Sequence, residues 1–534
     1  MRVSLKGEER LFEFSRRLQE DLRNHVSDPA ASRLMGRHRK RFLVTSTVKE
    51  LSRTAEIKFV DINSSIPDHT ALSDAVKANA RLFISHVLEG YTSTCDPTDF
   101  QGVICKEVLS DLWRFGPGAS VGTRSTHTAD KIREHMTYTS LAELDVQRLR
   151  NRNPYFSVLD ASKKSGIQQV AGSKLGFVPK NEDTVRTIAT EPSGNMALQL
   201  AAGQYLSNAL KWAGLDIKTQ QPKNKRLACI GSVTGDLATL DLSSASDRIS
   251  IALVRDLMPP EWYRYLMRLR SPVTQLPSGE HVELKMISTM GNGYTFPLMT
   301  LLITSLVYAV RCEQYPRSQP ARRLDWSAHA VFGDDIIVPT AIADSLIDVL
   351  QQAGLVVNTD KSYVTGPFRE SCGGDYFLGR DITPFYVRSL TFPSDIYVAI
   401  NQCISWIVQH EIMLPATMMY LASLVDKPFL VPEWEDPSSG ILTPDGPRIY
   451  KRLEVVPTTR TLPDDDLFLV PLAAGGYVTG GPSGRTIYTL RCNDVRRKVR
   501  KCRIPQGFCD GSDPHLRSAS ASLRAGLLAR IYFG

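Results

Sequence analysis

Asp334 and Asp335 stand side by side in VFGDDIIV, residues 331–338. Two adjacent carboxylates between apolar runs repel each other unless a counter-charge stands by. A divalent cation that favours oxygen ligands, Mg²⁺ or Mn²⁺, is the usual one. Val331-Phe332 and Ile336-Ile337-Val338 have strand character, and Gly333-Asp334-Asp335 reads as the tight turn between them. Such turns are common, so the tripeptide needs company before it means chemistry.

The company lies upstream. In TLDLSSASDRIS (239–250) Asp241 ends an apolar strand, a setting that disfavours Asp. Asp247 follows at the expected start of a helix, with Ser243, Ser244 and Ser246 available as caps. By itself Asp247 can be a helix-terminus charge and nothing more. In STMGNGYTFPLMT (288–300), Gly291 and Gly293 permit backbone shapes that other residues resist. Ser288, Thr289, Asn292 and Thr295 add hydrogen-bonding side chains, suited to a nucleotide or a template backbone. The order is two spaced acids, a Ser/Gly/Asn loop opening a helix, then the acidic hairpin. It lets Asp241 and Asp334 meet on neighbouring strands and clamp two metal ions about 3.5–4 Å apart, the geometry for in-line attack on a phosphate. Positioning and charge then do most of the catalysis. In KLGFVPKNEDTVRTIATEPSGNM (174–196), Lys180 and Arg186 flank a polar loop from which they would neutralise an incoming triphosphate.

The elements that must position these groups read as follows. Residues 237–242 form a strand, and 249–270 an amphipathic helix interrupted near Pro259-Pro260. A hairpin signal lies in 271–283, a glycine loop at 288–293 and an apolar helix at 296–310. After the acidic hairpin come a helix over 341–353, stopped at Gly354, and a strand at 355–357. This is an α+β layer, a small sheet with helices on one face. Residues 1–150 are mostly helical in pattern, as at 8–22 and 71–88. The basic run Arg37–Arg41 reads as a solvated helix face. RFGPGASVGTRS (114–125) lacks the ending of a phosphate loop and reads as an ordinary loop. Residues 390–534 are irregular and Pro-rich, with a basic cluster at 496–503.

At 534 residues the chain should divide into two to four sub-domains. With 42% hydrophobic and 22% charged residues it has the composition of an ordinary globular protein. A net charge of +8 permits a polyanionic partner without demanding one. The longest apolar stretch, 298–310, is short of the ~20 residues a membrane span needs and reads as a buried helix. The N-terminus carries charges where a signal peptide needs an apolar core. Nine scattered cysteines without a CxxC pair argue against a zinc site or a disulfide framework and point to a reducing cytoplasm.

The order of segments resembles motifs A, B and C of the RNA-dependent RNA polymerases, with motif F at residues 180–186. More closely, it resembles the replicase catalytic subunits of the single-stranded RNA phages, the Q-beta and MS2 group. The residues behind the resemblance are VPKN (178–181) with Arg186, EPSGNM (191–196), GSVTGDLATLDLSSASD (231–247), LRSP (269–272), STMGNGYTF (288–296), FGDDII (332–337), GPFRESCG (366–373) and DITPFYVR (381–388). They cover roughly residues 174–390.

The resemblance implies a right-hand polymerase of fingers, palm and thumb, with a small antiparallel palm sheet backed by helices. Residues 1–234 would be the N-terminal region and fingers. Residues 235–390 would be the palm, with 271–287 a finger-like hairpin insertion, and 391–534 the thumb and basic C-terminal region. It implies Asp241 and Asp334 as main metal ligands for Mg²⁺ (or Mn²⁺), with Asp335 auxiliary. Asp247 would read the ribose 2′-hydroxyl, Lys361 in NTDKSY would give a proton to pyrophosphate, and Ser288, Asn292, Lys180 and Arg186 would contact the nucleotide. Partners would be the RNA template, the nascent strand and ribonucleoside triphosphates. Host elongation factors Tu and Ts and a ribosomal RNA-binding protein would join them in the cytoplasm of an infected bacterium, with no membrane involved. Arg369 and Cys372 belong to a hallmark segment without an evident mechanical role.

Three departures stand out. Phe332 replaces a usual Tyr, Asp183 replaces a common lysine, and Pro297 and Met299 stand where relatives carry acids. Two other activities share features with this pattern. A reverse transcriptase has the same palm but usually lacks glycine before the acids. A non-catalytic RNA-binding protein has no need of acids that cost affinity for a polyanion.

Overall fold

The apolar run at 298–310 becomes the core of the helix Thr295–Gln314, with every residue from Leu298 to Val310 buried. Around it pack the helices Asp74–Cys95, Ser193–Trp212 and Thr340–Gln352. It is long and apolar enough to cross a membrane, but 83% of its most apolar window is covered by the protein itself. In this computed structural model the described residues are 2–43, 47–96, 98, 102–123, 128–153, 156, 166–180, 184–314, 326–426, 428–433, 435–443, 453–458, 477–481 and 484–492. Asn181, Asp183 and the basic cluster at 496–503 lie outside them.

The chain divides into two compact units, Val44–Thr383 and a second made of Met1–Leu43 with Pro384–Gly534. In the larger unit, β1 (Met136–Tyr138) and β2 (Ile167–Gln169) pair in parallel. β3 (Ser173–Pro179) and β4 (Val185–Thr190) form an antiparallel hairpin around the loop that carries Lys180. β5 (Leu237–Leu240) is fully buried. β6 (Val273–Gln275) and β7 (His281–Glu283) form the hairpin expected from Pro-Ser-Gly and extend the β3–β4 sheet in the order β4-β3-β6-β7. β8 (Ala330–Phe332) and β9 (Asp335–Pro339) are the acidic hairpin, and β5 joins it antiparallel in the order β5-β9-β8. This small antiparallel sheet is the one anticipated for an α+β palm. β10 (Phe368–Ser371), β11 (Gly374–Phe377) and β12 (Arg380–Asp381) form a third antiparallel sheet. The helix Gln220–Thr234 packs against β5, β8, β10 and β11 and so ties two sheets together.

Four local expectations need correction. The turn is shorter than the tripeptide: Asp335 already pairs with Phe332 as the first residue of β9. Residues 355–357 form no strand beyond one bridge, Leu242 to Val357, because Asn358 breaks away to bind Asp241. Asp247 lies in a 3₁₀ turn (Ala245–Arg248), and the helix begins only at Ile251, capped by Ser250 through Leu253 N–H at 2.9 Å. Ser243, Ser244 and Ser246 do not cap it. The break at Pro259-Pro260 does occur, since a proline fits the first turn of a new helix and not the interior of an old one. The two helices are Ile251–Leu257 and Pro260–Leu269.

In the other unit the first residues, read from sequence with the N-terminal region, pack with those after 384. Phe14, Leu18, Leu22 and Leu34 are buried, and His38 fits between Phe14, Phe385 and Tyr386. Part of the basic run therefore faces inward, with Arg37 over the Tyr386 ring at 4.8 Å. Asp21 accepts bonds from Ala416 N–H (2.9 Å) and Thr417 N–H (2.8 Å), satisfying free amides at the start of the helix Pro415–Ser423.

Candidate active site

β5 delivers Asp241 one residue past its end, and the β8–β9 turn delivers Asp334. Because β5 lies beside β9, with Leu240 opposite Ile336, the two carboxylates meet at one end of the sheet. Asp241 is held on several sides. Its N–H donates to Ser362 Oγ (3.1 Å), its carbonyl accepts from Asn358 N–H (2.8 Å), and its Oδ2 accepts from Asn358 Nδ2 (3.0 Å). Burial is the main force on both acids. It pushes the Asp241 carboxyl up to about 6, against the pull of Lys361 and with the push of Asp334. Asp334 is likewise raised by burial, with Asp335 adding to the rise and Lys180 and Lys361 opposing it. Lys180 is lowered by burial first, then by Lys361 and Arg186, while the two acids raise it. The fold therefore brings Asp241, Asp334, Lys180, Arg186 and Lys361 within electrostatic reach of one another.

Two desolvated carboxylates, each also disfavoured in its charged form by a neighbouring acid, form a hard-oxygen donor set that a divalent cation would relieve, so Asp241 and Asp334 fit Mg²⁺. The expected third ligand faces elsewhere. Asp335 Oδ1 accepts from Cys372 N–H (2.8 Å) and Ser371 Oγ (3.3 Å), which ties it to the β10–β11 hairpin. Among the described residues no three acids, histidines or cysteines gather closely enough to hold a metal. The side-chain alternation of a strand explains this: Asp335 is in β9, whereas Asp334 is in the turn.

Gly333 makes the turn possible. Its φ is +63°, and a Cβ there would collide with the Phe296 ring. Its N–H donates to Thr300 Oγ1 (3.1 Å), seating the acidic turn on the buried helix. Phe332 packs edge-on against Phe296 at 4.7 Å, and Met299 is buried beneath the turn. Two of the departures from the family pattern are thus packing residues under the acids.

The glycine loop rests on a network centred on Glu191, a residue to which sequence reasoning gave no role. Glu191 Oε2 accepts from Ser271 Oγ (2.6 Å) and Gln199 Nε2 (3.1 Å). Burial raises its carboxyl, and these donors and Arg270 act against the rise. Gln199 also donates to Leu269 O (2.8 Å), and Gly293 N–H reaches Gln199 Oε1 at 3.4 Å. The Asn292 amide stands beside the Glu191 carboxyl without completing a bond to it. EPSGNM and LRSP are therefore the two sides of one cradle under the loop. Gly291, at φ +116°, lets the loop press against β4, where Ala189 N–H donates to Met290 O (2.8 Å). Ser288 Oγ and Thr289 Oγ1 are buried in this loop with no hydrogen-bond partner among the described residues.

Asp247 stands apart. Its carboxyl is pushed up to about 6 by burial, with Ser246, Lys58 and Arg248 opposing. Among the described residues no hydrogen bond or ion pair joins it to Asp241, Asp334 or Asn292. Arg369 gains an account. Its fully buried guanidinium donates to five carbonyls, those of Leu237 (2.6 Å), Val364 (3.1 Å), Thr365 (3.3 Å), Gly366 (2.7 Å) and Phe368 (2.7 Å). It ties the start of β5 to the chain entering β10. Cys372, at φ +51°, turns its N–H toward Asp335. No spacing rule exposes either role, because both act on backbone atoms.

Taken together, this is a palm-type site: an antiparallel sheet with one half-buried acid just past a strand end and another in the turn of the neighbouring hairpin, and with cations close to both. Residues 72–434 match the family described as RNA replicase, beta-chain, and the chain belongs to that family. It is 46% identical over 235 residues to the RNA-directed RNA polymerase subunit beta of Escherichia virus Qbeta, covering 44% of this chain and 38% of that protein. It is 44% identical over 302 residues to the subunit beta of Enterobacteria phage SP, covering 55% and 49%. It is 34% identical over 319 residues to the RNA-directed RNA polymerase beta chain of Escherichia phage MS2, covering 59% and 54%. The matches thus span about half the length of these relatives or less. The solved BmCPV RNA-dependent RNA polymerase at elongation state aligns with 79% of this chain and 37% of its own, at 11% identity and a TM-score of 0.41.

Proposed function

We propose that this protein is an RNA-dependent RNA polymerase that copies a single-stranded RNA phage genome from ribonucleoside triphosphates. One observation carries the reading: Asp241 and Asp334 lie half-buried together at the end of the β5-β9-β8 sheet, within electrostatic reach of Lys180 and Lys361, with Arg186 beside Lys180. Asp241 and Asp334 would hold Mg²⁺, or Mn²⁺ in its place. When bound, the ions supply activation of the attacking 3′-hydroxyl and neutralise the leaving pyrophosphate. Lys180 and Arg186 orient the triphosphate by charge. Lys361, exposed and beside both acids, donates a proton to the leaving group. Ser288 and Asn292 hold the nucleotide from the glycine loop, and Asp247 reads its 2′-hydroxyl. Asp335 acts through the turn it braces.

The N-terminal region and fingers are assigned to residues 1–234 with the β6–β7 hairpin, the fingers beginning after Leu43 because the segment before it packs with residues after 384; the palm is assigned to 235–390 and the thumb and basic C-terminal region to 391–534. In the infected bacterium the chain would work in the cytoplasm as one subunit of a replicase, with elongation factors Tu and Ts and a ribosomal RNA-binding protein as companions.

Primer extension on an RNA template, with ribo- and deoxyribonucleotides in separate reactions, tests the activity. Mg²⁺-dependent incorporation of ribonucleotides is expected. Preferred incorporation of deoxyribonucleotides would indicate a reverse transcriptase, and RNA binding without incorporation a non-catalytic protein.

A further inference from the structure

Away from the acids, the larger unit holds a cavity of about 530 Å³ that no step of the proposed reaction uses. Its floor is apolar, made by Leu109, Leu149 and Leu198. Trp113 and Tyr265 form its aromatic walls. Trp113 is fixed in place by ring contacts with Phe115 (6.0 Å) and Phe156 (5.9 Å). The rim is basic and comes from three helices, with Lys106 on Lys106–Asp111, Arg148 and Arg152 on Glu143–Arg152, and Arg264 on Pro260–Leu269.

The charges on that rim are not balanced. Asp145 is taken by Arg268 at 2.8 Å, which lies over the Tyr265 ring, and stands 3.8 Å from Arg148. Glu261 is 3.6 Å from Arg264. Among the described residues Lys106 and Arg152 have no carboxylate partner, and Arg152 donates only to Ser110 Oγ.

An apolar, aromatic interior under an uncompensated basic rim matches a nucleobase with its phosphates. The base stacks on an aromatic face and the backbone lies along the cations. A cavity of this size accommodates one such unit. An acidic peptide would use the rim but leave the aromatic walls unexplained. We infer that this cavity is a second RNA-binding site, which holds one nucleotide of a single-stranded RNA segment outside the catalytic centre. Lys106 and Arg152 take its phosphates and Trp113 its base. The inference rests on the polymerase reading for its choice of RNA.

The test uses the full chain, with any host proteins that accompany it. Binding of a short fluorescent oligouridylate is followed by anisotropy across a salt series, in wild type, K106A/R152A and Trp113→Leu. K106A/R152A should weaken binding by about tenfold and flatten the salt slope by about 1.4, near 0.7 for each phosphate no longer neutralised. Trp113→Leu should weaken binding with the slope unchanged, because stacking releases no counterions. Both variants should keep the wild-type unfolding midpoint and, at saturating RNA, the wild-type rate of nucleotide addition. Unchanged affinity and slope in both variants would overturn the inference. So would displacement of the oligomer from this site by ATP alone, which would assign it to free nucleotides. Loss of a co-purifying protein with RNA affinity intact would overturn it in favour of an acidic protein partner. Failure of wild type to add nucleotides would sink the polymerase reading and leave the binding result standing.

Discussion

Asp247 has two separable effects. As an acceptor for a 2′-hydroxyl it would be left unpaired by a deoxynucleotide, and a buried polar group left unpaired discriminates strongly. Asp247→Ala should narrow the gap in kcat/KM between ribo- and deoxyribonucleotides, measured by single-nucleotide addition. An unchanged ratio moves the selection to Asn292. Its second effect is on stability. Burial raises its carboxyl from 3.8 to about 6 in the fold, so the native state binds its proton more tightly than the unfolded chain does. The stability this proton gives is full below about pH 4 and is lost as pH rises through about 6. Asp247→Asn, which cannot ionise, should therefore melt at the same temperature as wild type near pH 4 and higher above pH 6. A difference that stays constant across that range would contradict the account. Asp335 belongs to this scale too. Because it binds Cys372 N–H and Ser371 Oγ, Asp335→Asn should lower kcat less than Asp334→Asn does, with RNA affinity unchanged in both.

At the scale of elements, two supports were invisible as chemistry. Arg369 serves five carbonyls. Lysine offers only three donors from one point, so Arg369→Lys should leave buried carbonyls unpaired and cost about 2–4 kcal/mol in denaturant unfolding. Glu191 supports the glycine loop through Gln199, with Ser271 as its strongest donor. Ser271→Ala should raise the nucleotide KM or lower kcat while leaving RNA binding near wild type. A loss of RNA affinity instead would place this cradle on the template path. The contrast with the acids shows what a sequence can display. Asp241 was legible because an acid ending an apolar strand breaks a local rule, and Asp334 and Gly333 because two adjacent acids in a glycine turn between apolar runs call for a counter-charge. The buried helix Thr295–Gln314 and the β6–β7 hairpin were legible from apolar length and turn residues. The Glu191 and Arg369 networks were not, because side-chain bonds to carbonyls or to other side chains leave no periodicity, and the partners that matter most, Ser271 for Glu191 and Leu237 for Arg369, lie far away in the chain. The 3₁₀ turn at Asp247 was missed for another reason: a serine-rich segment can cap or turn equally well, and tertiary packing chose the turn.

At the scale of the whole molecule, the two compact units interleave in sequence, with Met1–Leu43 joining Pro384–Gly534. The helix Arg2–Leu22 supplies both core residues and the Asp21 cap of that second unit. Removal of the first 43 residues should therefore expose the face of Pro415–Ser423 and cause aggregation, read by size-exclusion chromatography. A deletion that stays monodisperse would contradict this. Affinity purification from an infected host should retain elongation factors Tu and Ts in near-stoichiometric amounts. A chain that copies its own genome efficiently with no host protein present would refute the borrowed-subunit proposal.

If Asp241 and Asp334 together run Mg²⁺-dependent RNA synthesis, a neutral isostere at either position should abolish it. Asp241→Asn and Asp334→Asn preserve shape and remove one charge each. Ribonucleotide incorporation and RNA affinity are measured side by side across a Mg²⁺ series. Incorporation should fall by on the order of a thousandfold or more in either variant, while RNA affinity stays within about twofold of wild type. Near wild-type incorporation by either variant would contradict it.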